Sequence, residues 1–286
     1  MTCRSRREFF VHPFVVAAIV CLTGGFCQAA ADDAKAETKP VQAIPEKSKF
    51  HLYLLAGQSN MAGRGKLTEA DRKPVDSVFM LNKEGQWVPA VDPLHFDKPA
   101  AGVGLGRTFA AEMLKSLPDD VSIGLIPAAA GGSAIDSWTP GGYHDQTKSH
   151  PWDDAVKRTR IALQAGTLNG ILWHQGESDG NAKLSTTYEA KLHDLIGRFR
   201  REFQSPNLPV VVGQLGQFAD NPPPDENRRR VMNVIQATPG KVPNTAFVDS
   251  DGLGHNGDKV HFNADAYREL GRRYAEALKK LVRAGG

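Results

Sequence analysis

The chain of 286 residues carries only three cysteines, and all three, Cys3, Cys21 and Cys27, fall within the first 31 positions. A chain trimmed of that segment has none, which excludes disulfides, cysteine nucleophiles and thiolate metal sites together. No excess of either charge is present. Removing Arg4, Arg6, Arg7 and Glu8 with the segment takes 35 basic and 32 acidic residues to 32 and 31, so electrostatics give no reason to expect nucleic acid or an anionic membrane as partner. Long apolar runs are also missing. The longest near the start, Phe14 to Leu22, is well short of the roughly 20 residues that a membrane-spanning helix needs.

What the N-terminus does contain is a basic start, that short apolar stretch, and Ala29-Ala30-Ala31 ahead of Asp32-Asp33. This is the pattern of a signal peptide over residues 1–31, cleaved near Ala29 to Ala31, and it implies export to a periplasmic or extracellular space with no membrane attachment afterwards. Phe26, a large residue, stands before Cys27 where lipid modification requires a small one. Residues 32–48 are charged and interspersed with Ala and Pro, a tether composition, so the folded domain is expected over 49–286.

Within the domain, apolar runs alternate with amphipathic stretches. Strands are predicted over 50–56, 77–81, 121–127, 168–174, 208–214 and 245–249, and helices over 103–117, 153–165, 184–203, 226–237 and 264–283. Such alternation predicts an α/β fold, a mostly parallel sheet with helices on both faces. Ligands of these sheets bind outside the carboxyl ends of the strands, so the polar residues that follow each apolar run are the ones to inspect.

Four strand ends stand out. Gly57-Gln58-Ser59-Asn60-Met61 follows the first strand and offers a serine hydroxyl in a glycine-containing turn, although a serine there also serves as a simple helix cap. The small-residue run Ala128 to Ser133 follows the third, and the N–H of Gly131 or Gly132 is placed to meet an oxyanion or merely to close a turn. Nearby Trp138 is either a platform for a sugar face or a cover for the core. The fourth strand ends in His174-Gln175-Gly176-Glu177-Ser178-Asp179, in which Gln175 is a candidate side-chain oxyanion donor and Glu177 a candidate to orient a base. Near the C-terminus lies Asp258-Lys259-Val260-His261. A serine hydroxyl needs a base, imidazole has the right proton affinity, and a carboxylate three residues before it reaches the other ring nitrogen across one turn.

Taken together and in this order, the Gly57-Gln58-Ser59-Asn60-Met61, Gly131-Gly132-Ser133, His174-Gln175-Gly176-Glu177 and Asp258-Lys259-Val260-His261 blocks resemble those of the sialate O-acetylesterase domain. That domain is shared with carbohydrate esterase family six, a branch of the SGNH hydrolases, and the resemblance covers about residues 50–280. It implies a flavodoxin-like three-layer α/β/α sandwich and hydrolysis of acetyl esters on carbohydrates without metal or organic cofactor. It also implies Ser59 as nucleophile, His261 as base, Asp258 or Glu177 as the acid behind the histidine, and an oxyanion held by the N–H groups of Ser59 and Gly131 or Gly132 with the Gln175 amide. Gln58 and Asn60, which flank the serine, join Trp138 as candidate substrate-binding residues. The resemblance does not select among acetylxylan, sialate and other acetylated sugars, a choice left to loops such as 85–102 and 139–151.

Other readings are a secreted carbohydrate-binding protein of the same fold without turnover, and a hydrolase of lipids or thioesters. A metal site built from His144, Asp145, His150 and Asp153 lacks a recognised ligand spacing. The Pro222-Pro223-Pro224 segment reads as a stiff loop entering a helix whose Arg228 to Arg230 face solvent.

Overall fold

A computed structural model describes residues 41 and 43–285, so the expected signal peptide lies outside the described residues, as does most of the expected tether. Seven strands form one sheet: β1 (Phe50–Gly57), β2 (Val78–Leu81), β3 (Trp87–Pro89), β4 (Ser122–Pro127), β5 (Thr167–His174), β6 (Val210–Gly213) and β7 (Thr245–Val248). Their spatial order is β3-β2-β4-β1-β5-β6-β7, and every pairing is parallel except that of β2 with β3. Side chains alternate across β1: Leu52, Leu54 and Ala56 enter one core and Tyr53 and Leu55 the other, as the two-residue period of a strand buried on both faces requires.

Helices α2 (Gly106–Leu114) and α6 (Ala264–Gly285) cover the face that holds Tyr53 and Leu55. The opposite face is covered by α3 (Pro151–Ala162), α4 (Tyr188–Glu202) and α5 (Glu226–Ala237). Tyr267, Leu270, Tyr274 and Leu278 recur at helical spacing along α6 and are fully buried, which fixes the helix against the sheet. Local chemistry sets the helix starts: Pro151 opens α3, while Asp225 accepts the Arg228 N–H and Asn263 accepts the Ala266 N–H at 2.8 and 2.9 Å.

The expected three-layer α/β/α architecture is thus the one observed. Strand β3 is an addition to it. It is three residues long and contains Pro89, which a sheet tolerates only at its edge, where β3 lies. The packed chain also begins before Lys49, since the Val41 N–H donates to the Trp87 carbonyl at 3.0 Å and residues 47–49 form a single tight turn. All the parallel strands end on one rim. That rim carries Gly57, Pro127 and His174 from the three central strands, and the four polar blocks gather there.

Candidate active site

At the end of β1 the chain must turn within one residue. Gly57 has φ +139°, and a Cβ there would lie 2.1 Å from the His174 carbonyl oxygen, so no other residue fits between β1 and β5. The Gln58 N–H donates to that same carbonyl at 3.0 Å, and α1 (Ser59–Ala62) follows at once, closed by Gly63 at φ +85°. Ser59 stands in the first position of this short helix, where an N–H has no intrahelical partner, and it finds no backbone or side-chain acceptor among the described residues. The residue is 7% exposed.

From the far end of the chain, His261 Nε2 comes to 2.9 Å from Ser59 Oγ, and His261 Nδ1 to 2.5 Å from Asp258 Oδ2. The carboxylate is aimed by its own loop: Asp258 Oδ1 accepts the Val260 and His261 N–H groups at 2.9 and 2.8 Å. Partial burial works to raise the Asp258 carboxyl, but hydrogen bonds from the His261 backbone and ring and from the Val260 N–H outweigh it and hold the group below the usual carboxylate range. Serine, imidazole and carboxylate therefore form one hydrogen-bonded line, with each ring nitrogen committed to a different partner. The loop is stapled by His255, whose Nδ1 accepts the Gly257 N–H at 2.9 Å and whose Nε2 meets Asp220 at 3.1 Å.

On the other side of the serine, the two glycines differ. The Gly131 N–H donates to Asp97 Oδ2 at 2.9 Å, whereas the Gly132 N–H has no acceptor among the described residues. Gly132 lies at φ +87°, and its carbonyl accepts from Ser178 Oγ at 2.9 Å. Asp97 is in turn held by Arg64 at 2.7 Å, a pair with side chains only 2% and 7% exposed. Arg64 also donates to the Gly63 carbonyl and accepts from Asn256 through its own carbonyl, linking the serine turn, the glycine loop and the histidine loop. Sequence reasoning missed both Arg64 and Asp97. Nothing around them marks them, because their pairing exists only once two distant loops meet.

Several expected site residues have other work. Glu177 makes no hydrogen bond to His261; its Oε1 accepts from Asn60 Nδ2 at 2.6 Å. Asn60 is fully buried and further donates to the Val260 carbonyl at 3.1 Å while accepting from Tyr267 at 2.7 Å, so it ties the serine turn to the histidine loop and α6 rather than meeting substrate. Gln58 is likewise inside, its Oε1 facing the N–H groups of Gly176 and Ser178 at 3.4 Å. The Gln175 amide has two hydrogens and three acceptors around it: Asp179 Oδ2 at 2.5 Å, the Ser133 carbonyl at 3.0 Å and Gln58 Oε1 at 3.3 Å. None is left for an oxyanion, and the residue is fully buried. Its partner Asp179, where burial overcomes the hydrogen bonds from Gln175 and Ile135, is pushed up to about 6. Trp138 is also fully buried, with Nε1 donating to Ser133 Oγ at 3.0 Å and its ring edge-on to Trp173, so it belongs to the core and offers no face to a sugar.

His144, Asp145, His150 and Asp153 do not converge: they engage the Gly131 carbonyl, Lys148, the Gly142 carbonyl and the Gly141 N–H respectively. Among the described residues no group of three or more potential ligands is placed to hold a metal ion. Pro222 to Pro224 line a cavity of about 960 Å³ with Phe218, Arg228 and His255, which neither Ser59 nor His261 reaches.

Residues 49–280 match the family described as carbohydrate esterase, sialic acid-specific acetylesterase. A probable carbohydrate esterase of Arabidopsis thaliana is 31% identical over 250 residues, covering 79% of this chain and 89% of that protein. A probable 9-O-acetyl-N-acetylneuraminic acid deacetylase of Escherichia coli K12 is 25% identical over 226 residues, 64% of this chain and 68% of its own length. Among solved structures, a protein from Arabidopsis thaliana superimposes with a TM-score of 0.70 at 29% identity, over 80% of this chain and 98% of that one.

Proposed function

Because the chain belongs to the carbohydrate esterase, sialic acid-specific acetylesterase family, whose members are carboxylic ester hydrolases of acetylated carbohydrates, we propose that it releases acetate from sugar O-acetyl groups by two-step acyl transfer through Ser59. In the first step His261 Nε2 takes the Ser59 proton while the oxygen attacks the acetyl carbonyl. Asp258 holds the imidazole in the tautomer with Nε2 free to accept and stabilises the imidazolium that forms. The tetrahedral oxyanion is met by the N–H groups of Ser59 and Gly132, two donors that no acceptor among the described residues occupies. His261 then returns its proton to the departing sugar oxygen, leaving an acetyl-serine. Water repeats the sequence: His261 removes its proton, the hydroxide adds to the carbonyl, and Ser59 leaves reprotonated with acetate.

The observation that carries this reading is the unbroken Ser59–His261–Asp258 line, with distances of 2.9 and 2.5 Å. It also favours Asp258 over Glu177 as the acid, and the enzyme over a binding protein without turnover, which has no need of an aligned base. Acetate release from a panel of acetylated glycans and an aryl acetate tests it, with Ser59→Ala as control. A nucleophile's removal costs about six orders of magnitude in kcat, so a variant that keeps near-normal turnover overturns the assignment.

Export is part of the same proposal. Residues 1–31 direct it and residues 32–48 join the leader to the domain, which the N-terminal sequence of the protein recovered outside the cytoplasm tests: a start near Asp32 is expected.

A further inference from the structure

The peptide that joins Gly131 to Gly132 is gripped on both flanks. Ahead of it, the Gly131 N–H donates to Asp97 Oδ2 at 2.9 Å; behind it, the Gly132 carbonyl accepts from Ser178 Oγ at 2.9 Å. Its own carbonyl, that of Gly131, lies 3.2 Å from His144 Nε2. A carbonyl can only accept, so His144 must carry its hydrogen on Nε2 to make this bond. The one cis peptide among the described residues is Asp92-Pro93, and the Gly131-Gly132 peptide is therefore trans. In a trans peptide the C=O and N–H point in opposite directions, so whatever fixes the Gly131 carbonyl also fixes the direction of the Gly132 N–H.

We propose that His144 is a positioning residue that aims the Gly132 N–H at the oxyanion. The inference rests on the reading that Gly132 is one of the two oxyanion donors. Without a donor on the Gly131 carbonyl, the peptide between two glycines rotates at little steric cost, and the N–H loses its direction. A hydrogen bond to the carbonyl also polarises the peptide and makes its N–H a stronger donor.

His144 is itself held in place. Its backbone pairs with Ser149, N–H to carbonyl in both directions at 2.8 and 3.3 Å, which makes a small hairpin of the loop. Gln146 at the tip accepts from Lys98 Nζ at 2.7 Å, and Lys98 adjoins Asp97, the group that fixes the Gly131 N–H. Gln146 Oε1 also packs where a Cβ on Gly132 would stand, 2.6 Å away. The loops over 85–102 and 139–151 thus meet above these two glycines, and the same segments expected to select the sugar also orient the donor.

The test compares His144→Ala and His144→Gln with the wild-type enzyme on an aryl acetate, alongside amide spectra of ¹⁵N-labelled protein before and after Ser59 is phosphonylated. Losing a whole oxyanion donor costs about 10²–10³ in kcat, and a misaimed one about ten- to hundred-fold. His144→Ala is expected to show that smaller loss in kcat with KM unchanged, and His144→Gln, which still offers an N–H at similar reach, to recover most of it. In the spectra, the Gly132 amide moves downfield on phosphonylation of wild type and moves less in His144→Ala.

An unaltered kcat in His144→Ala, a glutamine variant as poor as alanine, or a loss divided between kcat and KM overturns the inference while the esterase reading stands. A Gly132 amide that ignores phosphonylation in the wild type removes the premise instead, because Gly132 is then no oxyanion donor.

Discussion

The two flanks of Ser59 are built in opposite ways. On the histidine side, Asp258 and His261 stand on a partly exposed loop in which the bonds that aim the carboxylate are local, made within a few residues by Asp258 Oδ1, with His255 Nδ1 accepting from the same turn. On the other side, Gln58, Asn60, Gln175 and Asp179 are buried and held by other protein groups, Gln58 by Gln175 and Asn60 by Glu177 across more than a hundred positions of sequence. The difference separates chemistry from scaffolding. A polar group whose valences are all met by the protein has none left for substrate, while His261 Nε2 and Ser59 Oγ meet only each other and the Gly132 N–H has no acceptor among the described residues.

The sharpest way to break this division is to exchange the two carboxylates. Asp258→Asn leaves the imidazole in the wrong tautomer, and a loss of about 10³–10⁴ in kcat is expected. Glu177→Gln keeps the acceptor that Asn60 uses and should cost less than about tenfold, as steady-state kinetics on one acetyl ester will show; the reverse ranking would move the acid to the buried flank.

Trp138 provides the next largest effect, and it falls on stability. With the indole fully buried against Trp173, Trp138→Ala should cost about 3–5 kcal/mol in urea unfolding, while KM of the remaining folded enzyme stays as it was. A raised KM at unchanged stability would restore the sugar-stacking role.

A smaller effect concerns pH and falls on two buried groups, His95 and Asp179. His95 is buried, its Nδ1 accepting the Ala129 N–H, and burial pushes it from 6.5 down to about 3. The unfolded chain therefore takes up a proton at a pH where the folded one does not. His95 contributes stability that is present in full above about 6.5 and lost as the pH falls toward about 3. His95→Gln, which keeps an acceptor for Ala129, should flatten that acid limb in unfolding curves between pH 6.5 and 4. Asp179 runs the other way. Its carboxyl is raised to about 6, so its contribution is present below about 3.8 and lost as pH rises to about 6, and Asp179→Asn should remove a slope of opposite sign.

Much of this was legible in the chain. The six longer strands and α2 to α6 announce themselves, because burial on two faces leaves a short unbroken apolar run and burial on one face of a helix leaves a helical period. Strand β3 and helix α1 are too short to carry a period. At the site, Asp258 and His261 were readable as a pair since three residues make one turn, and Ser59 only in the company of the other three blocks, because a serine at a strand end also serves as a helix cap. Gln58, Asn60 and Gln175 were misread for one reason, that residue type shows that a side chain is able to bond but not that a partner already waits for it, and the same ignorance left Trp138 open between sugar face and core. Arg64 and Asp97 left no trace and His144 read only as a candidate metal ligand, because their pairings join segments far apart in the chain: Arg64 with Asp97, Asp97 with the Gly131 N–H and His144 with the Gly131 carbonyl.

By itself, then, the sequence determined the layers of the fold and the rim on which polar residues collect, since these follow from local spacing, and it offered Ser59 and His261 with two rival carboxylates, Asp258 and Glu177. Only the tertiary structure decided which of the remaining polar groups are free. That depends on distances between segments far apart in the chain, and on whether a neighbouring loop has already taken the hydrogen bond.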